Sequence, residues 1–387
     1  MTDLAAPAPP RSVPVLTDGV VTLRAQQMSD ADELTALARD PATVSWTSVP
    51  TPYRRSDALD RVRAVEAGWC DGSMFCWTIE APDDGRARFA GQVELRTGPP
   101  PDVGFGLAPW ARGRGFMTRA LRLAADWGFD VAGFPVLQWS AMVDNWTSWR
   151  VAHACGFAFE GTRTLAHPSR DGLVDSWHAV LRPDPQRPVA GRTPVTTWWP
   201  VPVLVGDRVR LRPHAEADLP RIVEACSDPR ARYWNATLAH PYGLDDARSF
   251  VRRLRLQESL GQAVTWAVAD PGDDRLLANI TVFGLDRPYA PDSGEVGYWA
   301  HPDARGRGVV TEAVRMVREH AFTPVADGGL GRTRLQLGTS WDNTASRHVA
   351  ERNGFRLVGH FRRDGVAGVD NELVHDGAWY DLLHEDG

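Results

Sequence analysis

Arg112-Gly113-Arg114-Gly115-Phe116 follows the stretch Val103-Gly104-Phe105-Gly106-Leu107, and 193 residues later Arg305-Gly306-Arg307-Gly308-Val309 follows Val296-Gly297-Tyr298-Trp299-Ala300. Each copy reads as a strand, a glycine turn and the start of a helix. Phe116, Ala120, Leu123, Ala124 and Trp127 stand at i, i+4, i+7, i+8 and i+11, the spacing of an amphipathic helix, and Val309, Ala313, Met316 and Val317 keep matching steps. Such a turn collects unpaired backbone N–H groups at the positive end of a helix dipole, a place suited to an anion and most naturally to a pyrophosphate. Gly113, Gly115, Gly306 and Gly308 would admit phosphate oxygens close to the main chain, and Arg112, Arg114, Arg305 and Arg307 add positive charge. The alternative is a tight strand-to-helix corner that binds nothing. The turn carries neither GxxxxGK(S/T) nor GxGxxG, which excludes nucleotide hydrolysis.

Other segments repeat in the same order. Leu23-Arg24 and Asp40-Pro41 recur as Leu211-Arg212 and Asp228-Pro229, a shift of 188, while Asp144-Asn145, Ser148 and Gly156-Phe157 recur as Asp342-Asn343, Ser346 and Gly354-Phe355, a shift of 198. A shift that grows by five twice while order is kept is the mark of a duplicated domain with loop insertions. The expected organisation is a disordered arm over 1–14, a domain over 15–182, a proline-rich linker over 183–202 and a second domain over 203–387. Each half predicts one strand, two helices, three strands, the glycine turn with its helix, then strand, helix and two strands. Leu137, Trp139, Ala141 and Val143 alternate as a half-buried strand should. The fold class is α/β (α+β mixed sheet), with two tandem domains, each a mostly antiparallel sheet of six to seven strands flanked by helices.

The chain has 387 residues, a net charge of −6, and no lysine among its 43 basic residues. Residues 1–190 carry 19 arginines against 22 acids and the remainder 24 against 27, so neither half offers the basic face of a nucleic-acid binder. No apolar run reaches 18 residues and no secretory leader is read, so the expectation is a cytoplasmic protein with no membrane partner. Cys70, Cys76, Cys155 and Cys226 form no CxxC pair, and the eleven histidines show no metal-ligand spacing, so no metal is expected. The absence of lysine has two readings: codon bias, or protection of an enzyme whose chemistry threatens amines.

The glycine turn, followed downstream by Asn-x-x-Ser, a short helix and Gly-Phe, resembles the Gcn5-related N-acetyltransferases (GNAT), specifically the RimJ/RimL-like branch. The family pattern at the turn is Arg/Gln-x-x-Gly-x-Gly/Ala. Arg112 and Gly115, like Arg305 and Gly308, match its first and fourth positions, whereas Met117 and Val310 depart at the sixth. The resemblance spans roughly 15–182 and 203–384. It implies two GNAT-fold domains splayed at an acyl-CoA site, with acetyl-CoA or another acyl-CoA as donor. Arg112, Gly113, Arg114, Gly115 and Phe116, and in the second copy Arg305, Gly306, Arg307, Gly308 and Val309, would hold the pyrophosphate. Asn145 and Asn343 would contact the pantetheine region, although each could equally cap a helix. Ser148 and Ser346 would sit near the thioester sulfur and protonate the leaving thiolate.

Acylation of an amine needs a neutral amine, an oriented carbonyl and a departing thiolate. Glu295, or Asp102 at the matching position, is the candidate general base, with an exposed strand-end acid as the alternative. Backbone N–H groups after Gly104 and Gly297 would polarise the carbonyl, as the resemblance implies. The sixteen tryptophans, among them Trp110, Trp146, Trp149, Trp299 and Trp341, read as core or as the wall of an apolar channel. The leading function is therefore an N-acyltransferase, most simply an N-acetyltransferase, acting by direct transfer to a primary amine on a peptide N-terminus or small molecule. Two alternatives stand: a longer acyl group delivered by CoA or an acyl carrier protein, and a non-catalytic CoA-binding protein. The tandem chain is compatible with a monomer or a homodimer.

Overall fold

The computed structural model describes residues 12–184, 186, 188–235, 237–368 and 370–386. Most of the expected N-terminal arm lies outside the described residues. The chain divides into two compact units, Met1–Val195 and Thr196–Gly387.

The first unit runs β1 (Leu16–Thr17), β2 (Thr22–Arg24), α1 (Ala31–Arg39), α2 (Pro41–Trp46), α3 (Arg55–Asp71), β3 (Met74–Asp83), β4 (Arg86–Arg96) and β5 (Asp102–Leu107). It continues through α4 (Phe116–Asp130), β6 (Leu137–Met142), α5 (Trp146–Ala154), β7 (Ala158–Ser169) and β8 (Gly172–Leu181). The second unit repeats this order as β9 (Leu204–Val205), β10 (Arg210–Arg212), α6 (Leu219–Ser227), α7 (Pro229–Trp234), α8 (Leu244–Ser259), β11 (Ala263–Ala269), β12 (Leu276–Phe283) and β13 (Ser293–Ala300). Its remaining elements are α9 (Val309–Phe322), β14 (Arg334–Ser340), α10 (Thr344–Arg352), β15 (Arg356–Ala367) and β16 (Leu373–Leu383).

Each unit is built on one eight-stranded sheet, in the order β1-β2-β3-β4-β5-β6-β8-β7 and its counterpart β9-β10-β11-β12-β13-β14-β16-β15. All pairings are antiparallel except β5 with β6 and β13 with β14. These two parallel pairs are joined by α4 and α9, because a parallel connection needs a crossover that only a helix-sized segment can span. The sheet exceeds the expected six to seven strands because the opening strand folds back on itself. In the first unit the Asp18 side chain accepts from the N–H groups of Val20 and Val21 at 2.9 Å each, which turns β1 against β2.

Three helices, rather than the expected two, precede the central strands. Asp40 and Asp228 adopt extended backbone angles that stop the preceding helix. Each then caps the next through its carboxylate, with proline at the first helical position. The helix after each glycine turn buries its predicted stripe, with one difference: Leu121 is fully buried and Leu123 only partly so. Eight of the sixteen tryptophans are buried in the cores, and the other eight, Trp110, Trp146, Trp299 and Trp341 among them, are only partly buried. Trp69, Trp77 and Trp127 meet edge to face at 4.9–5.5 Å between ring centroids, with Phe75 among them.

The proline-rich stretch is not a free spacer along its described length. Val189 is fully buried and its N–H donates to Asp126 of α4. Trp199 is buried in the second unit and donates from its backbone to the Glu258 carbonyl at 3.0 Å. Pro14 and Pro202, expected to close the arm and the linker, are held in matching ways: the indole N–H of Trp77 donates to the Pro14 carbonyl at 3.0 Å, and that of Trp266 to the Pro202 carbonyl at 2.9 Å. Among the described residues no helix is long and apolar enough to cross a membrane, and no group of three or more His, Cys, Asp or Glu could hold a metal ion.

Candidate active site

The parallel strand pairs begin together and then part. β13 and β14 are in register over Ser293↔Arg334, Gly294↔Leu335 and Glu295↔Gln336, and β5 and β6 only at Asp102↔Gln138. Beyond these residues β13 stays paired to β12 through Ala300, while β14 runs on to Ser340 paired to β16. One edge of residues 296–300 therefore leaves the ladder, and its backbone donors and acceptors become available to something other than a strand. Glu295 and Asp102, chosen from sequence as bases, stand at the vertices of the two openings.

In the second unit the opening is a cleft of about 680 Å³, lined by α6 and α7, β13, the glycine turn with the start of α9, β14 and α10. Arg230, Arg305, Arg352, His348 and His375 line it, and among the described residues no aspartate or glutamate does. In a chain of net charge −6 this is a local inversion of sign, and it favours an anionic ligand. Tyr298, Trp299, Asn343, Ser346, Gly306, Gly308 and Val309 share the lining.

The glycines of the turn are demanded by the backbone. Gly113, Gly115, Gly306 and Gly308 have φ of 72°, 77°, 71° and 77°, and a Cβ added at Gly113, Gly115 or Gly306 would meet open space. α4 and α9 thus start from a left-handed glycine, which has no side chain with which to cap their first N–H groups. Gly104 and Gly297 serve neighbours instead: a Cβ at Gly104 would lie 2.7 Å from Glu94 Oε1, and one at Gly297 would lie 3.1 Å from the Phe283 ring.

The arginines of the turn divide by role. Arg112 donates to Asp40 Oδ2 at 2.6 Å and to the Leu107 carbonyl at 3.1 Å, and Arg305 donates to Asp228 Oδ2 at 2.6 Å. The partners are the helix-capping aspartates of the two Asp-Pro repeats, so these guanidiniums tie the turn to α2 and α7. Burial alone would raise the Asp40 and Asp228 carboxyls. The arginine and the capped N–H groups outweigh it and hold both below the ordinary carboxylate range. Arg114 lies over the rings of Trp110 and Phe116 at 5.4 and 4.7 Å, and Arg307 is exposed, reaching the Asp303 carbonyl at 3.4 Å.

Asn145 and Asn343 cap α5 and α10, accepting from the N–H groups of Ser148 and Ser346 at 3.2 and 3.3 Å. The local reading of these residues thus holds, and Asn343 also faces the cleft. The Ser148 hydroxyl accepts from the Trp139 indole at 3.0 Å, whereas Ser346 Oγ lies 2.9 Å from the Tyr298 hydroxyl. Burial pushes the Tyr298 phenol up to about 12, against the opposing pull of its bond to Ser346. Asp102 is held by Arg96 through both oxygens at 2.7 and 2.8 Å, and Glu295 by Arg287 at 2.8 Å. Glu295 is not among the residues that line the second unit's cleft, and Asp102 and Glu295 each occupy the last residue in parallel register before the strands part. Tyr298, Asp40 and Asp228 were not singled out as site residues from sequence. The recurring Asp-Pro pairs were the available signal for the two aspartates.

A duplicated mixed sheet whose one parallel pair opens beside a left-handed glycine turn defines a protein of the acetyltransferase fold class. The chain belongs to the Acetyltransferase (GNAT) domain family, whose pattern matches residues 21–158 and 208–356. It is 33% identical over 92 residues to "Probable N-acetyltransferase YjcK" of Bacillus subtilis (strain 168), covering 24% of this chain and 48% of that protein. It is 32% identical over 111 residues to "Putative ribosomal N-acetyltransferase YdaF" of the same organism, covering 29% of this chain and 55% of that protein. The chain spans about half the length of these curated relatives. Among solved structures, Mycobacterium smegmatis RimJ in complex with CoA-disulfide is similar at 20% identity and a TM-score of 0.43, over 50% of this chain and 91% of that one.

Proposed function

We propose that the chain is an N-acetyltransferase that moves an acetyl group from acetyl-CoA to a primary amine, with the cleft between β13 and β14 as a donor site. The observation that carries this reading is the cleft lined by Arg230, Arg352 and the Asp228-paired Arg305, opening where the strands part and bordered by the glycine turn. The pyrophosphate would lie on the N–H groups of the turn and the first turn of α9, favoured by the helix dipole and the cationic lining. The pantetheine arm would then run between the strands beside Asn343 and bring the thioester to Ser346.

Transfer is direct. The amine nitrogen bonds to the thioester carbon, the C–S bond breaks with its electron pair going to sulfur, and the serine hydroxyl gives its proton to the thiolate. The proton lost by the amine goes to Glu295, at the vertex, through water, and solvent restores the serine. Backbone N–H groups of the unpaired strand edge would polarise the carbonyl. Asp102 and Ser148 take the same roles in the first unit. An amine on a protein N-terminus is the preferred acceptor, in keeping with the ribosomal N-acetyltransferase description carried by YdaF.

Calorimetric titration of the full chain with acetyl-CoA, followed by thiol release in the presence of amino-terminal peptides, tests the reading. Binding at one or two sites with amine-dependent thiol release is expected. Binding without release would leave a CoA-binding protein, and no binding would overturn the donor assignment.

A further inference from the structure

The two units hold their serines from opposite strands. In the first unit Ser148 accepts from Trp139, which lies on β6, and the facing position on β5 is Phe105, which offers no hydroxyl. In the second unit Ser346 meets Tyr298, which lies on β13 at the position matching Phe105, and the position matching Trp139 is Leu337, which has no polar atom to give. Donor and non-donor have changed places together. Packing alone does not ask for this, since phenylalanine and leucine fill their positions in the other copy without a donor. What both units retain is a group able to donate a hydrogen bond within 3.0 Å of the same serine oxygen: the Trp139 indole can only donate, and between the Tyr298 and Ser346 hydroxyls either atom can be the donor.

We propose that Trp139 and Tyr298 are positioning residues for thiolate protonation, each holding the hydroxyl oxygen of its serine by a donated hydrogen bond so that the serine proton is left for the departing sulfur. The inference rests on the acyl-CoA reading above. An indole nitrogen can only donate, so the Ser148 proton is not spent on Trp139. In the second unit the phenol must direct its proton to Ser346 Oγ, although the Ser346 carbonyl lies 3.2 Å from the same hydroxyl. A donated bond also draws charge from the serine oxygen and makes its proton a better one to give, because chains of hydrogen bonds polarise one another. Both units are therefore equipped for the acid step.

The test reads the sulfur itself. The thiolate absorbance of bound CoA is titrated in the full chain; Ser346→Ala fixes the second unit's thiol at its unassisted pKa, so that variants of the first unit are read as shifts against that constant component, and Ser148→Ala does the reverse. A serine proton directed at sulfur stabilises the thiolate and lowers the thiol pKa of bound CoA. In the Ser346→Ala chain, Trp139→Phe keeps an aromatic ring in place and removes the N–H. The thiol pKa is expected to rise by about one unit, the scale of a hydrogen bond to a charged group. Tyr298→Phe in the Ser148→Ala chain should do the same. The decisive variant converts one unit to the other's arrangement: Phe105→Tyr with Trp139→Leu should bring the thiol pKa back toward the parent value, while Trp139→Leu alone should not. A thiol pKa unmoved by Trp139→Phe and Tyr298→Phe, with CoA still bound, overturns the inference and leaves the acyl-CoA reading intact. Failure of CoA to bind the parent chain overturns that reading and this inference with it.

Discussion

Arg305 donates to Asp228 Oδ2 across 2.6 Å, joining the glycine turn to the cap of α7. The same carboxylate accepts from the Ala231 N–H at 3.0 Å, so one side chain starts a helix and fixes the turn at once. Asp228→Ala removes both bonds and should cost about 1–2 kcal/mol in denaturant melts. It should also raise the Kd for acetyl-CoA several-fold in calorimetry, since α7 and the turn both border the cleft. Asp228→Asn keeps the cap and loses the charge, and should recover most of the stability but less of the affinity. Equal affinity for all three proteins would show that the tie does not support the donor site.

Gly306 sits at φ 71° with open space where a Cβ would lie. Gly306→Ala therefore meets backbone strain and no clash, and should destabilise the second unit by about 1–2 kcal/mol. Gly113→Ala, in the same setting at φ 72°, should cost the first unit a similar amount. If unfolding midpoints do not move, the glycine requirement comes from the ligand and not from the backbone.

The parts of this site that sequence made legible are local. A left-handed turn requires glycine, so the two Arg-Gly-Arg-Gly segments announce themselves, and the helix that follows is read from its apolar spacing over a few turns. The Asn-x-x-Ser cap is likewise contained in four residues. What escaped reading is long-range. Arg305 and Asp228 are 77 residues apart, and Tyr298 and Ser346 are 48 apart, and neither pairing leaves a periodic trace. The burial of Leu121 in place of Leu123 depends on what α4 packs against, which helical spacing does not contain. Asp40-Pro41 is an intermediate case. Its recurrence was visible, but its double service as helix cap and arginine partner emerges only when α2 and the turn are placed together.

Glu295 is the last residue of β13 in register with β14, and it faces Arg287 at 2.8 Å. If it takes the amine proton, Glu295→Gln should lower kcat about 10²-fold with the KM for acetyl-CoA unchanged, because the side chain lies outside the donor cleft. The first unit carries its own vertex acid, so the measurement belongs in a Ser148→Ala chain. Raising the pH, which supplies more neutral amine, should recover part of the loss. A fall in acetyl-CoA affinity with kcat preserved would instead assign Glu295 to holding the cleft open through Arg287.

Glu258, in the last turn of α8, links stability to pH where the second unit begins. Its backbone carbonyl accepts from Trp199, its carboxylate accepts from the Thr265 N–H, and burial pushes its carboxyl up to about 8. The folded-state value lies above the ordinary one near 4.5, so between these values the folded chain binds more protons than the unfolded chain. Stability from this group is therefore full below about pH 4.5 and falls as pH rises toward 8, where the carboxylate must ionise while partly buried. Glu258→Gln can keep an acceptor for Thr265 and cannot ionise. It should be more stable than the parent at pH 9 by roughly 1–3 kcal/mol, with the difference shrinking toward zero near pH 5. Paired urea melts at the two pH values check this: a difference that stays constant between pH 5 and pH 9 would mean that Glu258 ionises in the folded state as readily as in the unfolded one.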